Sequence, residues 1–166
     1  AGDLSRTDIA DKMGLTRAAV SLIVNDLLES GVVQEAESRS APSGRPPVIL
    51  EINPKVGLVG AIDMGATHMS IALADFTARI IHEAEFPFDI KNGPQVCLAE
   101  ANKNLVKLLT SQNLSLSGLS AVGVGVPGPV ITEAGMVVPP PIMPGWDRYP
   151  IRATLEKMLG CPVTLN

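Results

Sequence analysis

The sequence contains few aromatic residues, few cysteines and no long apolar run. Only 3% of its 166 residues are aromatic although 46% are hydrophobic, so its core has to be built from aliphatic side chains. No stretch approaches the roughly 18 consecutive apolar residues that a membrane-spanning helix needs. The first residues also lack the basic and then apolar layout of a signal peptide. We therefore expect no membrane as a partner.

Cysteine usage argues against a metal site, and the net charge argues against nucleic-acid binding through bulk charge. Cys97 and Cys161 are far apart and show no CxxC spacing, which predicts reduced cytosolic thiols and no metal site. The net charge is −4, and residues 1–50 carry five basic against seven acidic groups. A nucleic-acid-binding function therefore cannot depend on bulk charge. It has to depend on where individual side chains lie.

Two proline-rich stretches interrupt the chain. Residues 38–47, SRSAPSGRPP, are typical of an exposed loop, and residues 139–145, PPPIMPG, predict a rigid non-helical crossing. The pattern of apolar residues also changes after residue 53. We expect one domain over residues 1–53 and a second over residues 54–166.

The first domain is predicted to contain two short helices and a hairpin. Ser5 and Asp8 form a capping box, and Gly14 begins a turn. Thr16 can cap the second helix, and Gly31 is well placed to end it. The apolar residues at helical spacing in the two helices are Ile9, Ala10, Met13, Val20, Ile23, Val24, Leu27 and Leu28. Residues 32–33 and 48–52 predict two strands joined by the polar loop.

The second domain alternates strands and helices and is predicted to be α/β. Residues 56–62, 69–74 and 80–88 predict three strands that are antiparallel neighbours. The other predicted elements are a helix over 94–112, a strand over 121–126, a helix over 150–159 and a strand from 162. The apolar set of the first of these helices is Val96, Leu98, Ala99, Leu105, Leu108 and Leu109.

The start of the second helix carries small, polar and basic side chains. In a helix-turn-helix the N-terminal residues of the second helix reach base edges in the major groove. The candidate DNA-binding residues here are Thr16, Arg17, Ala18, Ser21 and Asn25. Arg17 can donate to guanine or phosphate, Thr16 and Ser21 to phosphates, and Ala18 can contact a thymine methyl group. The alternative is a helical hairpin without this function, but the tight turn and the hairpin that follows favour DNA binding.

Arg45 in the polar loop is a second candidate for DNA contact. Pro46 holds the preceding residue in an extended conformation, and an extended arginine can lie in a narrow A·T minor groove. The alternative is an ordinary linker whose arginine is solvated.

The chain resembles the ROK family of repressors and sugar kinases, and most closely its xylose-repressor-like branch. Four segments carry the resemblance in order: TDIADKMGLTRAAVSLIVNDLLESGVV, GRPPVILEINP, IDMGATHMSIALADF and GVGVPGPV. It implies a winged helix-turn-helix whose first helix is truncated, followed by an incomplete actin-like lobe of the sugar-kinase type. It also implies a cytoplasmic homodimer that binds operator DNA, with Arg45 in the minor groove, and releases it when a sugar binds. On this interpretation the chain is an N-terminal fragment.

Asp63, Gly65 and Thr67 match the first phosphate loop of the family's kinases, whose pattern is DxGGTK. Glycines there let backbone amides approach phosphate, and the carboxylate helps to organise magnesium. This sequence has Ala66 and His68 instead of the second glycine and the lysine. We therefore interpret the loop as vestigial, a turn kept as scaffold.

Gly128 and Pro129 match family positions whose backbone faces the sugar, and the alternative is a turn that is glycine-rich for steric reasons. Trp146 is expected to pack in the core. The resemblance places the kinase general base after residue 166, and the zinc-binding motif and further sugar ligands also lie beyond it. We expect no enzyme and no cofactor in this chain. The alternatives are a sugar kinase with an appended helical module, and a DNA-binding module whose α/β part only dimerises.

Overall fold

The computed structural model describes residues 4–36, 48–138 and 142–166. It divides into two compact units, Ala1–Val56 and Gly57–Asn166. The sequence pattern predicts the boundary three residues earlier, and the difference is a short 3₁₀ helix, Pro54–Val56, that belongs to the first unit. Each unit has its own core of buried aliphatic side chains.

The first unit contains two helices, α1 (Arg6–Met13) and α2 (Arg17–Glu29), joined by a tight turn. The predicted capping box is confirmed, because the Asp8 N–H donates to the Ser5 hydroxyl (3.2 Å) and the Ser5 N–H donates to the Asp8 carboxylate (2.8 Å). Hydrogen bonds from the Ser5 hydroxyl and backbone hold the pKa of Asp8 below its ordinary value, since they stabilise the charged form. Gly14 ends α1 at a φ of 64°, a left-handed conformation that glycine adopts at little cost.

A small antiparallel sheet completes the first unit. Its strands are β1 (Leu4–Ser5), β2 (Val33–Ala36) and β3 (Ile49–Ile52), in the order β1-β3-β2. The predicted hairpin is confirmed, because β2 pairs with β3 in antiparallel register from Val33 opposite Ile52 to Ala36 opposite Ile49. Residues 37–47 of the connecting loop lie outside the described residues.

The core of the first unit is small, and it corrects part of the predicted apolar set. The buried residues are Ala10, Val20, Val24 and Leu50, and Ile9, Leu28 and Val33 pack against them. Met13 is 67% exposed, Ile23 49% and Leu27 37%, so these three members of the apolar set do not belong to the core. Helical spacing alone identifies a broad apolar stripe, whereas α1 and the sheet cover only one side of α2.

The second unit is built on a mixed five-stranded sheet. Its strands are β4 (Leu58–Met64), β5 (His68–Asp75), β6 (Ile80–Pro87), β7 (Leu119–Gly125) and β10 (Val163–Leu165). Their order is β10-β7-β4-β5-β6. The pairs β4–β7 and β7–β10 are parallel, and β4–β5 and β5–β6 are antiparallel. The predicted α/β class and the predicted antiparallel neighbours are confirmed.

A two-stranded ribbon that the sequence pattern does not predict follows β7. Strands β8 (Val130–Ile131) and β9 (Met136–Val137) pair in antiparallel register. Each has only two residues, which is too short for alternation of apolar and polar residues to be visible.

Two helices, α3 (Pro94–Ser111) and α4 (Ile151–Leu159), pack with the sheet around one core. The bounds of both agree with the prediction to within one residue, and Gly160 ends α4 at a φ of 72°. Val96 is 55% exposed, and Ala99 is exposed as well, so these two members of the apolar set do not belong to the core. Cys97 and Ala101 are buried in the same helix, together with Leu98, Leu105, Leu108 and Leu109 of the predicted set. At about 100° per residue, Val96 and Ala99 lie on the opposite side of the helix from this stripe.

Arg152 joins α4 to the turn of the β8–β9 ribbon. Its guanidinium donates to the carbonyls of Thr132 and Glu133, and its backbone N–H donates to the Gly135 carbonyl at 3.2 Å. Gly135 has a φ of 67°, and a Cβ at this position would lie 2.5 Å from the Cβ of Arg152. The approach of the turn to α4 therefore requires a glycine.

Gly135→Ala is expected to destabilise the second unit by about 1–3 kcal/mol, because the new methyl group strains the backbone and displaces Arg152. Urea unfolding followed by the fluorescence of Trp146, the single tryptophan of the sequence, measures this. Gly118→Ala is the matched control, since a Cβ at Gly118 meets no atom within 4 Å. Equal unfolding midpoints for the two variants would contradict the expectation.

Two features are absent from the described part of the chain. No helix there combines the length and the apolar character that crossing a bilayer requires. No group of three or more His, Cys, Asp or Glu side chains in those residues is placed to hold a metal ion.

Candidate functional site

The start of α2 presents three of the predicted DNA-binding residues together. Thr16, Arg17 and Ala18 are all exposed. The Thr16 hydroxyl oxygen accepts from the Ala19 N–H at 3.2 Å and caps the helix as predicted, and its hydrogen stays available as a donor. No acidic residue lies in the first turn of α2, so the positive end of the helix dipole is not offset there. That end of the helix suits an anion such as phosphate.

The other two predicted contacts on α2 lie further along the helix. Ser21 is half-buried, and its hydroxyl donates to the Arg17 carbonyl at 2.8 Å. Asn25 is exposed, and its side-chain oxygen accepts from Arg6 at 3.4 Å. At a rise of about 1.5 Å per residue, Asn25 is roughly 13 Å from Thr16 along the axis. The five residues thus form an extended stripe rather than one cluster, and Asn25 lies beside the start of α1.

Arg45 lies in the stretch 37–47, outside the described residues. The two strands that lead into and out of this stretch are described, and their last pair is Ala36 opposite Ile49. The contact predicted for Arg45 therefore stays a prediction.

In the second unit, the turn predicted as a vestigial phosphate loop connects β4 to β5. The Gly65 N–H donates to the His68 carbonyl at 2.9 Å, and the carbonyls of Ala66 and Thr67 accept from Ile90 (3.2 Å) and Phe88 (3.1 Å). A Cβ at Gly65 would lie 3.0 Å from the His68 carbonyl oxygen. The turn is thus tied to the scaffold through its own backbone, and its interpretation as a vestigial phosphate loop stays a prediction.

Asp63 and the loop that carries Gly128 and Pro129 emerge at the same edge of the sheet. Asp63 is paired with Gly125 across the parallel strands β4 and β7. The two lie so close that a Cβ at Gly125 would come within 2.6 Å of Asp63 Oδ1. Ligands of α/β sheets bind in the crevice beyond the carboxyl ends of the strands, and this edge has that position.

Short hydrogen bonds shape the loop after β7. The Gly128 N–H donates to the Val126 carbonyl at 2.9 Å, and the Pro129 carbonyl accepts from Val138 at 3.1 Å. Gly128 is half-buried and Pro129 is exposed. The loop continues into the β8–β9 ribbon, whose turn Arg152 holds against α4, so the position of Pro129 is fixed from both sides.

A shallow cavity of about 430 Å³ lies on the sheet face beside Asp63. Its lining includes small residues at outward-facing strand positions, together with Asp63 and Glu83. Those small residues are Ala61, Ser70, Ala72, Gly123 and Gly125. The sequence prediction did not include this cavity, although the alternation of small residues along β4, β5 and β7 is a visible signal for it.

The chain is similar to proteins of known family. A family model described as the ROK family matches residues 59–166, more than half of the chain. The chain belongs to the ROK family. The xylose repressor of Caldicellulosiruptor bescii is 28% identical over 163 residues, covering 98% of this chain and 41% of the repressor. The chain therefore spans less than half of the length of that relative.

Solved structures of ROK proteins have the same fold. A ROK family transcriptional regulator, a homologue of the Escherichia coli Mlc protein, matches 99% of this chain and 41% of its own with a TM-score of 0.76 at 21% identity. The ROK hexokinase of Thermus thermophilus matches 66% of this chain and 34% of its own, with a TM-score of 0.57 at 26% identity. The predicted ROK membership is confirmed, and the α/β lobe is of the type that ROK sugar kinases share.

The single tryptophan of this ROK chain packs in the core, as predicted. Trp146 is fully buried, and its Nε1 donates to the Ile90 carbonyl at 3.1 Å. Tyr149 meets it edge to face, with 6.4 Å between the ring centroids. Trp146 is therefore not available as a stacking platform for a ligand.

Both cysteines are free, in agreement with the prediction of reduced thiols. Burial raises the pKa of the Cys97 thiol to about 11, because an apolar environment disfavours the thiolate. Its Sγ donates weakly to the carbonyls of Asp89 and Ile90. Burial also raises the pKa of Cys161, which is only half-buried.

Iodoacetamide at about pH 8 is expected to alkylate Cys161 well before Cys97, because Cys97 is inaccessible and protonated in the folded state. The stability contributed by the neutral Cys97 thiol is complete below the unfolded-state pKa and falls as the pH rises towards about 11. Mass spectrometry of Cys97→Ser and Cys161→Ser variants assigns each adduct. Equal alkylation rates in the folded protein would contradict this.

Proposed function

We propose that this chain is the DNA-binding part, with a portion of the sugar-binding part, of a transcriptional repressor that responds to a sugar. The observation that supports this best is the exposed start of α2. It carries Thr16, Arg17 and Ala18 with no acidic residue in the same turn. The order of elements, two helices around a tight turn followed by a hairpin, supports a winged helix-turn-helix over residues 1–53.

In this proposal α2 lies in the major groove of operator DNA. Arg17 donates to a guanine or a phosphate, Ala18 contacts a thymine methyl group, and Thr16 donates to a phosphate. Ser21 and Asn25 extend the same stripe along the groove. Arg45 enters the neighbouring minor groove from the hairpin loop. Two copies of the protein bind two half-sites as a homodimer.

The sugar effector binds at the carboxyl edge of β4 and β7 in residues 54–166. The backbone of Gly128 and Pro129 faces the sugar, and the Asp63 carboxylate at the same edge offers an acceptor for a hydroxyl group. A sugar that binds here with different affinity in the DNA-bound and free forms shifts the protein between them. The name of the similar xylose repressor makes D-xylose the first effector to test.

A sugar kinase is the second candidate, and the fold shared with the Thermus thermophilus ROK hexokinase favours it. Phosphoryl transfer needs a phosphate loop and a base that takes the hydroxyl proton. Ala66 and His68 replace the loop glycine and lysine, and Asp75 and Asp89 do not match the base position. Single-turnover assays of the full-length gene product with ATP and D-xylose or D-glucose decide between the candidates, since phosphoryl transfer would establish the kinase.

Arg17→Ala and Arg45→Ala are each expected to weaken binding to a selected operator by about 1–3 kcal/mol if the side chain reads a base edge. The operator is obtained by selection from a random-sequence duplex pool, and affinity is measured by fluorescence anisotropy. Lys55→Ala, which removes an exposed positive charge from the same unit, is the matched control. Unchanged affinity in both arginine variants would refute the recognition assignment.

Gly128→Val is expected to abolish sugar binding without changing operator affinity, because its side chain would project where the loop backbone faces the sugar. Calorimetry of the full-length gene product with D-xylose measures binding, and operator release is measured in parallel. Gly118→Ala serves as the control glycine substitution. If D-xylose still releases the operator from the Gly128→Val variant, the loop is not part of the sugar site.

A further inference from the structure

Arg6, the first residue of α1, connects three elements of the first unit. Its Nη2 lies 3.4 Å from the side-chain oxygen of Asn25 on α2, and its Nη1 lies 3.4 Å from Glu35 Oε1 on β2. The Arg6 side chain is 32% exposed and that of Glu35 is 50% exposed. Both contacts are long, single hydrogen bonds rather than a bidentate pair, so the guanidinium is held weakly.

We propose that Arg6 binds a DNA phosphate, and that Glu35 is the group that holds its guanidinium when no DNA is bound. This inference rests on the proposed DNA-binding function. It adds a contact at a residue that the sequence prediction did not include.

The position of Asn25 places Arg6 at the edge of the DNA-facing surface. Arg17, Ser21 and Asn25 follow one another at intervals of four residues, so they share one face of α2. A guanidinium in contact with Asn25 therefore lies beside that face, about two turns beyond Arg17. In a helix-turn-helix the first of the two helices crosses the DNA backbone while the second enters the groove. The start of α1 is in a suitable position for a phosphate contact.

Because the Arg6–Glu35 pair is weak, replacing Glu35 by a DNA phosphate as the partner of Arg6 is favourable. An exposed ion pair with one long contact contributes little stability, whereas a phosphate of duplex DNA lies in a strong negative potential and releases counterions when it is neutralised. Breaking the contact between Arg6 and Glu35 costs little stability, but the Glu35 carboxylate is then repelled by the phosphate. Glu35 is therefore expected to oppose DNA binding.

The first unit has few positive charges, so the contact of Arg6 with a phosphate provides a large share of its attraction to DNA. The described residues of that unit with a positive charge are Arg6, Lys12, Arg17 and Lys55. Its described acidic residues are Asp8, Asp11, Asp26, Glu29, Glu35 and Glu51. With more acids than bases, the unit cannot attract DNA through its net charge. Each basic group that reaches a phosphate contributes a correspondingly large part of the binding.

The test measures binding of the 166-residue chain to two duplexes of equal length, one selected by the wild-type chain and one of random sequence, between about 50 and 200 mM salt. Arg6→Gln is expected to weaken binding to both on the order of tenfold at the lowest salt. It is also expected to reduce the slope of log affinity against log salt by about 1. Glu35→Gln is expected to strengthen binding to both duplexes.

The sign of the Glu35→Gln effect separates phosphate binding from a purely structural role. If Arg6 only braces α2 against β2, both variants lose the brace and both weaken binding, which overturns the inference. Arg79→Gln is the control for loss of a paired arginine outside the first unit, because the exposed Arg79 side chain contacts the buried Asp75 carboxylate at 3.3 Å in the second unit. Its affinity and salt slope are expected to match the wild type, and circular dichroism checks the fold of each variant.

Failure of this inference can be distinguished from failure of the proposed function. If Arg17→Ala weakens selected binding while Arg6→Gln leaves the affinity and the salt slope unchanged, only the Arg6 contact is refuted. If the wild-type chain selects no duplex from the random pool, the DNA-binding proposal itself fails and the Arg6 contact fails with it.

Discussion

Pairing of the central strand β4 with β7 is the interaction on which the second unit depends. The two strands run parallel from Val59 opposite Ala121 to Asp63 opposite Gly125, so the turn after one and the loop after the other leave the sheet at the same edge. Because β5 pairs with β4 on its other side, every strand of the sheet takes its position directly or indirectly from β4. The candidate sugar site exists because of this register.

The fit at that edge depends on small residues. Gly125 leaves room for the Asp63 carboxylate, and Gly135 leaves room for Arg152 at the far end of the ribbon that follows. A methyl group at Gly135 would lie too close to the Cβ of Arg152 for an unstrained structure, and one at Gly125 would force the Asp63 carboxylate to move. The loop with Gly128 and Pro129 lies between these two points, so its shape follows from contacts on both sides and not only from its own sequence.

The sequence predicts local features well because local physics determines them. The capping box of Ser5 and Asp8, the left-handed glycine at Gly14 and the end of α4 at Gly160 each depend on residues within one helical turn. Strand positions follow from the alternation of apolar residues, since the buried residues of β5 recur at every second position. These signals are sufficient for the order of the longer helices and strands and for the α/β class, but not for the two-residue strands β8 and β9.

Features that depend on distant partners could not be predicted in the same way. The exposure of Ile23 and Leu27 depends on what covers α2, and periodicity does not contain that information. The contact of Arg6 with Glu35 joins residues 29 positions apart. The cavity beside Asp63 arises only when β4, β5 and β7 lie side by side. The resemblance identified Gly128 and Pro129 as candidates, but their place at the edge shared with Asp63 required the sheet register.

The outer strand β6 has a consequence for how the protein behaves at high concentration. An unpaired strand edge can recruit a strand from another molecule and start aggregation. Ile81 is an extra residue where the pairing with β5 shifts register, and such a bulge twists the edge away from a flat template. Glu83 and Glu85 add exposed negative charges along the same strand. Together these features disfavour uncontrolled edge-to-edge association, even though Ile80 and Ile81 are exposed there.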